Sequence, residues 1–124
     1  MAGGEIVVLV VDDEPDVRAL ARLVLELSGH PVRVVVAADG PAALAAAARE
    51  RPDLAVVDQR MPGQDGLSVV ADLVALHPGL AVALCSAAID GRLTTHDTPP
   101  GVRWLLPKHE LVRLPELLDE LLAP

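Results

Sequence analysis

The sequence predicts a doubly wound α/β fold with a parallel sheet, on three observations. Short apolar runs rich in β-branched residues recur without polar alternation, as in strands covered on both faces. Segments with apolar residues at helical spacing separate those runs, so strand and helix alternate. Several runs also end abruptly in a carboxylate, a hydroxyl or a lysine. A chain of 124 residues suits one domain, expected over residues 1–124.

Glu5 to Val11, EIVVLVV, reads as the first and central strand. From Pro15 to Ser28, Val17, Leu20, Ala21, Val24 and Leu27 recur at helical spacing, and Gly29 supplies a stop. A strand over Val32 to Val36 and an alanine-rich helix from about Pro41 to Arg49 follow, then a strand over Leu54 to Val57. The next helix runs from Leu67 to Leu76, with Asp65 placed to cap it. Leu80 to Leu84 and Val102 to Leu106 form the fourth and fifth strands, and Pro115 to Leu122 a closing helix with proline near its first turn. Asp90 to Gly101, DGRLTTHDTPPG, holds two adjacent threonines and a Pro-Pro pair, so any fourth helix is expected to be short or disordered.

Composition narrows the functional classes. No apolar run approaches the roughly 18 residues needed to cross a bilayer, and Met1-Ala2-Gly3-Gly4 lacks the basic and apolar regions of a secretory signal. A cytoplasmic, non-membrane protein is the expectation. The net charge of −8 argues against direct nucleic-acid contact, which needs clustered Lys and Arg. Cys85, the lone cysteine, sits in an apolar run and reads as a core residue. The four histidines share no ligand spacing. Of ten basic residues nine are arginine, leaving a single lysine, Lys108.

In an open parallel sheet, ligands bind beyond the carboxyl ends of the strands. The first strand ends in Asp12-Asp13, the third in Asp58, the fourth in Ser86 and the fifth in Lys108, just past Pro107. The second ends in the less committed Ala37-Ala38-Asp39. Carboxylates gathered this way repel, by about 4 kcal/mol for a pair 4 Å apart at an effective dielectric of 20. A cation must compensate, and Mg²⁺ prefers carboxylate and water oxygens. A carboxylate is also a nucleophile toward phosphorus, and metal, ammonium and hydroxyl groups stabilise the transferring oxygens. Asp58, Mg²⁺, Lys108 and Ser86 supply that set. Each alone has a plainer reading: Asp12-Asp13 as a helix cap, Asp58 as a turn residue, Ser86 as a local hydrogen-bonder, Lys108 as a surface charge. Their convergence on one edge favours a site.

The runs VLVVDDEPDVR (Val8 to Arg18), DQRMPGQDG (Asp58 to Gly66), LCSA (Leu84 to Ala87) and LLPK (Leu105 to Lys108) resemble the motifs of response-regulator receiver domains of two-component signalling, of the chemotaxis-regulator type. The motifs come in the family's order and cover nearly the whole chain. The resemblance implies a five-stranded, flavodoxin-like sheet of order 2-1-3-4-5. It implies that Asp58 accepts a phosphoryl group, that Asp12 and Asp13 bind Mg²⁺, the latter directly, and that Asp58 and the backbone carbonyl of Arg60 complete the metal set. Ser86 matches the hydroxyl that bonds the phosphoryl group, Ala87 the small residue after it, and Lys108 the lysine that pairs with the phosphate. Met61, Pro62 and Gly66 match the loop that shapes the acceptor turn. Implied partners are a histidine kinase or histidine phosphotransfer protein, with a C-terminal output domain or a homodimer left open. The domain would catalyse its own modification rather than turn over a metabolite. The Arg60 side chain, beside the acceptor, invites an influence on water access; an unchanged dephosphorylation half-life in Arg60→Ala would dismiss it.

Alternatives fit less well. A degenerate receiver serving as a phosphorylation-independent binding module would not need the intact acidic pair, acceptor, hydroxyl and lysine. A flavin-mononucleotide carrier would need neutral donors after the first strand, where Asp12-Asp13 repel phosphate. A haloacid-dehalogenase-like phosphatase generally has a second acid two positions after its nucleophile, where this chain has Arg60. The sequence also departs from the receiver pattern. The position three before the lysine, commonly aromatic, is Leu105, and the only aromatic residue, Trp104, is expected on the opposite face. Signalling is therefore expected to use the Asp90 to Gly101 segment, ordered when Ser86 moves toward phosphate; unchanged hydrogen-exchange protection there on phosphorylation would exclude this.

Overall fold

A computed structural model describes residues 4–86 and 98–124. The elements are β1 (Ile6–Val11), α1 (Pro15–Glu26), β2 (Val32–Ala37), α2 (Gly40–Arg49), β3 (Leu54–Asp58), β4 (Arg60–Met61), β5 (Gln64–Asp65), α3 (Gly66–Leu76), β6 (Ala81–Ser86), β7 (Val102–Pro107), a 3₁₀ stretch over Lys108–Arg113 and α4 (Leu114–Leu122). The expected strand and helix boundaries hold to within a residue or two. The short β4–β5 hairpin and the 3₁₀ stretch were not expected. The segment assigned to a short or disordered fourth helix falls largely on residues 87–97, and Ala87 with it, outside the described residues.

β2-β1-β3-β6-β7 form one parallel sheet, which is order 2-1-3-4-5 when its five strands are counted along the chain. The absence of polar alternation has a direct structural cause. Val8, Val10, Leu54, Val56, Ala81 and Ala83 pack on one face with Ala21, Leu25, Leu114 and Leu118 of α1 and α4. Leu9, Val11, Ala55, Val57, Val82 and Leu84 pack on the other with Ala43, Ala47, Val70 and Leu73 of α2 and α3. Both faces of the central strands must be apolar because each is roofed by helices. Burying each such leucine or valine contributes roughly 1.5–3 kcal/mol.

Ala43, Ala46 and Ala47 are buried on α2, and Asp39 caps that helix by accepting from the Ala42 N–H at 2.8 Å. Asp65 does the same for α3, accepting from the Ser68 N–H at 2.8 Å, as its spacing predicted. α1 starts differently: its N-cap is Glu14, whose side chain makes no cap bond, and Pro15 opens the first turn. Trp104 packs with the α1/α4 face and Leu105 with the α2/α3 face, the opposite placement expected of strand neighbours.

Candidate functional site

Strand register assembles the site. Val11 pairs with Val57, so Asp12 and Asp58 follow at the same level of adjacent strands, and Asp58 pairs with Cys85, one residue before Ser86. Ser86 in turn pairs with Pro107, immediately before Lys108. Four strands thus deliver Asp12-Asp13, Asp58, Ser86 and Lys108 to one edge, as the sequence indicated. Carboxylate oxygens of Asp12, Asp13 and Asp58 lie within 4.8 Å of one another. Asp12 and Asp58 are the buried acidic groups among the described residues, whereas Asp13 is half-buried.

Lys108 sits among these charges. Its Nζ donates to Asp58 Oδ2 at 3.0 Å and to Glu14 Oε1 at 3.2 Å, and lies 3.2 Å from Asp12 Oδ2. The remaining carboxylate oxygens are held by backbone: Asp12 Oδ1 accepts from the Glu14 N–H at 2.9 Å, and Asp58 Oδ1 from the Arg60 N–H at 3.2 Å. Arg18 donates to the Asp12 carbonyl at 2.8 Å, tying α1 to the end of β1.

The electrostatics follow from burial and crowding. Desolvation pushes the Asp12 carboxyl up; the Asp58 charge adds to this, while the Glu14 N–H and Lys108 oppose it. Burial works against charge on Lys108 too, but its bonds to Asp58, Glu14 and Asp12 outweigh burial and hold it firmly protonated. The Cys85 thiol, buried beneath the cluster, is pushed up to about 12 by desolvation and by the Asp58 and Asp12 charges.

The turn after Asp58 is shaped by glycine and proline. After Asp58 the chain makes the two-residue pairing Arg60↔Asp65 and Met61↔Gln64 around Pro62-Gly63. Gly63 has φ +73°, the left-handed region that follows proline in a type II turn. Gly66 packs flat against the peptide after Asp58, where any Cβ would strike the Asp58 carbonyl oxygen. Gln64 reaches back across this loop, its Oε1 accepting from the Gly40 N–H at 2.9 Å, so the turn is pinned to the start of α2.

The donor set fits a hard divalent cation. Three carboxylates are offset by one ammonium, all donors are oxygen, and the burial that pushes the Asp12 carboxyl up is a desolvation cost of its charged form that a bound cation would offset. Sequence reasoning found every one of these carboxylates. It missed Glu14 as a partner of Lys108, because Glu14 lies past the acidic pair at the start of α1, where a carboxylate reads as an exposed helix-start residue. It also missed Gln64, one of two amides in the polar loop DQRMPGQDG with nothing local to single it out, and Asp53, which accepts from the Val7 N–H at 2.8 Å.

A doubly wound sheet of this order, with an acidic cluster and one lysine on its carboxyl edge, defines the class of receiver-type signalling domains. A model of the response regulator receiver domain matches residues 8–119, and the chain belongs to that family, the receivers of two-component systems. The transcriptional regulatory protein PrrA of Mycobacterium tuberculosis is 44% identical over 88 residues, covering 69% of this chain and 37% of that protein. The receiver domain of the response regulator NarL from the same organism superposes with a TM-score of 0.78 at 33% identity, covering 98% of this chain and 99% of that one. The response regulator TrrA of Thermotoga maritima, solved in complex with Mg²⁺ and BeF, superposes with a TM-score of 0.76 at 26% identity, covering 94% of this chain and 98% of that one. The chain spans between about a third and two-fifths of the curated relatives it matches first. No helix among the described residues is long and apolar enough to cross a membrane.

Proposed function

We propose that this chain is a single receiver domain that takes a phosphoryl group on Asp58 and thereby switches its interactions with partner proteins. The observation that carries the reading is the meeting of buried Asp12 and Asp58, half-buried Asp13 and protonated Lys108 at one end of the sheet. An Asp58 carboxylate oxygen forms the new bond to phosphorus as the donor's P–N bond breaks, and the histidine of a kinase or phosphotransfer protein leaves with the electron pair and takes a proton. Lys108 and the Ser86 hydroxyl donate to the phosphoryl oxygens. Hydrolysis reverses the state: water attacks phosphorus, inorganic phosphate leaves, and Asp58 regains its carboxylate.

Asp12, Asp13, Asp58 and the Arg60 carbonyl would hold Mg²⁺, which when bound neutralises charge on the transferring oxygens. Asp12 and Asp13 supply the negative charge that retains the cation, and Lys108 keeps Asp58 oriented. The domain catalyses its own modification and does not turn over an external ester. A location in the cytoplasm, beside the kinase domains that supply phosphoryl groups, fits this reading. The relatives named as transcriptional regulators are longer than this chain, which supports an output domain C-terminal to such a receiver; this domain itself, with its acidic surface, does not contact nucleic acid.

Incubation with acetyl phosphate and Mg²⁺, with and without chelator, followed by intact-mass measurement, tests the proposal. One added phosphoryl group on the wild type, absent in Asp58→Asn and absent with chelator, is expected. No gain under conditions that phosphorylate a control receiver would refute it.

A further inference from the structure

The Lys108 ammonium, with three N–H donors, donates to Asp58 Oδ2 at 3.0 Å and to Glu14 Oε1 at 3.2 Å and lies 3.2 Å from Asp12 Oδ2. Phosphorylation turns the Asp58 carboxylate into an acyl phosphate and places charged oxygens beyond it, so an ammonium that follows them loosens its hold on Glu14 or Asp12. Burial decides which. The Asp12 side chain is 4% exposed, and separating it from its counter-charge strands a desolvated carboxylate. The Glu14 side chain is 60% exposed, so water replaces its lost partner at little cost. Glu14 also has no local duty to keep it in place: it occupies the N-cap of α1 without a side-chain cap bond.

We infer that Glu14 is the exchangeable partner of Lys108, a positioning residue that holds one N–H of the ammonium in the resting domain, yields it to the phosphoryl group and reclaims it after hydrolysis. The inference rests on the phosphoacceptor reading of Asp58. Its consequence is competition: the Glu14 carboxylate and the phosphoryl oxygens contend for the same donor, so Glu14 weakens the modified state. The backbone favours this geometry, because the Glu14 carbonyl accepts the first helical N–H groups of α1, from Val17 and Arg18 at 3.1 Å, which fixes where its side chain starts.

Beryllofluoride, a phosphoryl mimic, gives a readout that does not depend on turnover. Its affinity would be titrated calorimetrically in excess Mg²⁺ for wild type, Glu14→Ala, Glu14→Gln, Asp16→Asn, Lys108→Met and the double variant Glu14→Ala/Lys108→Met. Loss of a pairing of this exposed kind should tighten binding roughly two- to fivefold in Glu14→Ala. Glu14→Gln, which retains a neutral acceptor, should fall between that variant and wild type. Asp16→Asn removes the same charge from a neighbouring exposed position without touching Lys108 and should bind like wild type. Adding Glu14→Ala to Lys108→Met should give no gain, because the contested donor is gone. The inference is overturned if Glu14→Ala binds like wild type, if Asp16→Asn gains as much, or if the gain persists without Lys108, which would reduce Glu14 to through-space repulsion. If the wild type neither binds beryllofluoride nor gains a phosphoryl group, the phosphoacceptor reading falls and this inference with it; if it does both, a flat Glu14 series defeats the inference alone.

Discussion

Replacing Gly66 by alanine would drive a Cβ into the Asp58 carbonyl oxygen and to within 2.8 Å of Gln59 Cα and 2.9 Å of the Asp58 carbonyl carbon. All three are backbone atoms of the turn after Asp58, so no side-chain rotation relieves the contact. Overpacking of this kind costs about 1–3 kcal/mol, and three rigid neighbours place it near the top of that range. Gly66 is the first residue of α3, where alanine's better helix propensity returns up to about 1 kcal/mol. A net loss of about 2 kcal/mol is expected, or a fall of about 1 M in the urea midpoint for a slope near 2 kcal/mol per molar. Equilibrium unfolding followed by the fluorescence of Trp104, the only tryptophan, measures it. Gly40→Ala is the matched control: its Cβ meets only the flexible side chain of Gln64, which can swing away at the cost of one hydrogen bond. That change should stay within about 1 kcal/mol. A Gly66→Ala protein as stable as wild type, or less perturbed than Gly40→Ala, would refute the argument that the backbone itself limits this turn.

Three more predictions concern charge. Asp12 has its carboxyl raised above the ordinary 3.8, so its contribution to stability is fully present below that pH and is lost as pH rises through the folded-state value. Asp12→Asn should therefore stabilise the domain against urea at pH 7 in chelator, by a margin that vanishes toward pH 3.8; a destabilised variant at neutral pH would contradict this. Mg²⁺ at tenfold above its dissociation constant should add about 1.4 kcal/mol to wild type and much less to the variant. Lys108→Met leaves Asp12 and Asp58 without a counter-charge and should cost roughly 2–3 kcal/mol in chelator, below the ~3–5 typical of a fully buried pair because the lysine is 17% exposed; added Mg²⁺ should restore part of the loss. Finally, Cys85 is buried and its thiol raised from 9.0 to about 12, so its contribution is present below pH 9.0 and lost as pH rises toward 12. Stability should fall in that window by up to about 1.4 kcal/mol per pH unit, and Cys85→Ala should remove the part of the fall that begins below pH 10.5, above which Lys108, raised by its carboxylate partners, adds a loss of its own.

Much of the fold was legible in the chain because its signals are local. Both-face burial of a parallel sheet writes itself into EIVVLVV and LAVV as uninterrupted apolar runs, and Asp39, Asp65 and the prolines at helix starts mark where helices begin. The candidate site was legible for a related reason: in a sheet whose ligands gather at the carboxyl ends of strands, the residue after each run is a site candidate whatever its sequence separation. Asp12, Asp13, Asp58, Ser86 and Lys108 follow from that rule. The β4–β5 hairpin escaped it, since two-residue strands carry no periodicity. So did the 3₁₀ stretch after Lys108, which has only one buried side chain, Leu111, to announce it.

By itself the sequence determined which residues could be strand, helix and site, because burial and capping act between near neighbours. Only the tertiary structure decided the pairings. Lys108 meets Asp58 across 50 positions and Glu14 across 94, and Gln64 meets Gly40 across 24, through registers that depend on how every strand twists and every helix packs. A carboxylate beside a proline, as Glu14 is, looks in sequence like any exposed helix-start residue. Its bond to Lys108 exists only once β1 and β7 end at the same edge of one sheet, bringing together charges that no local rule connects.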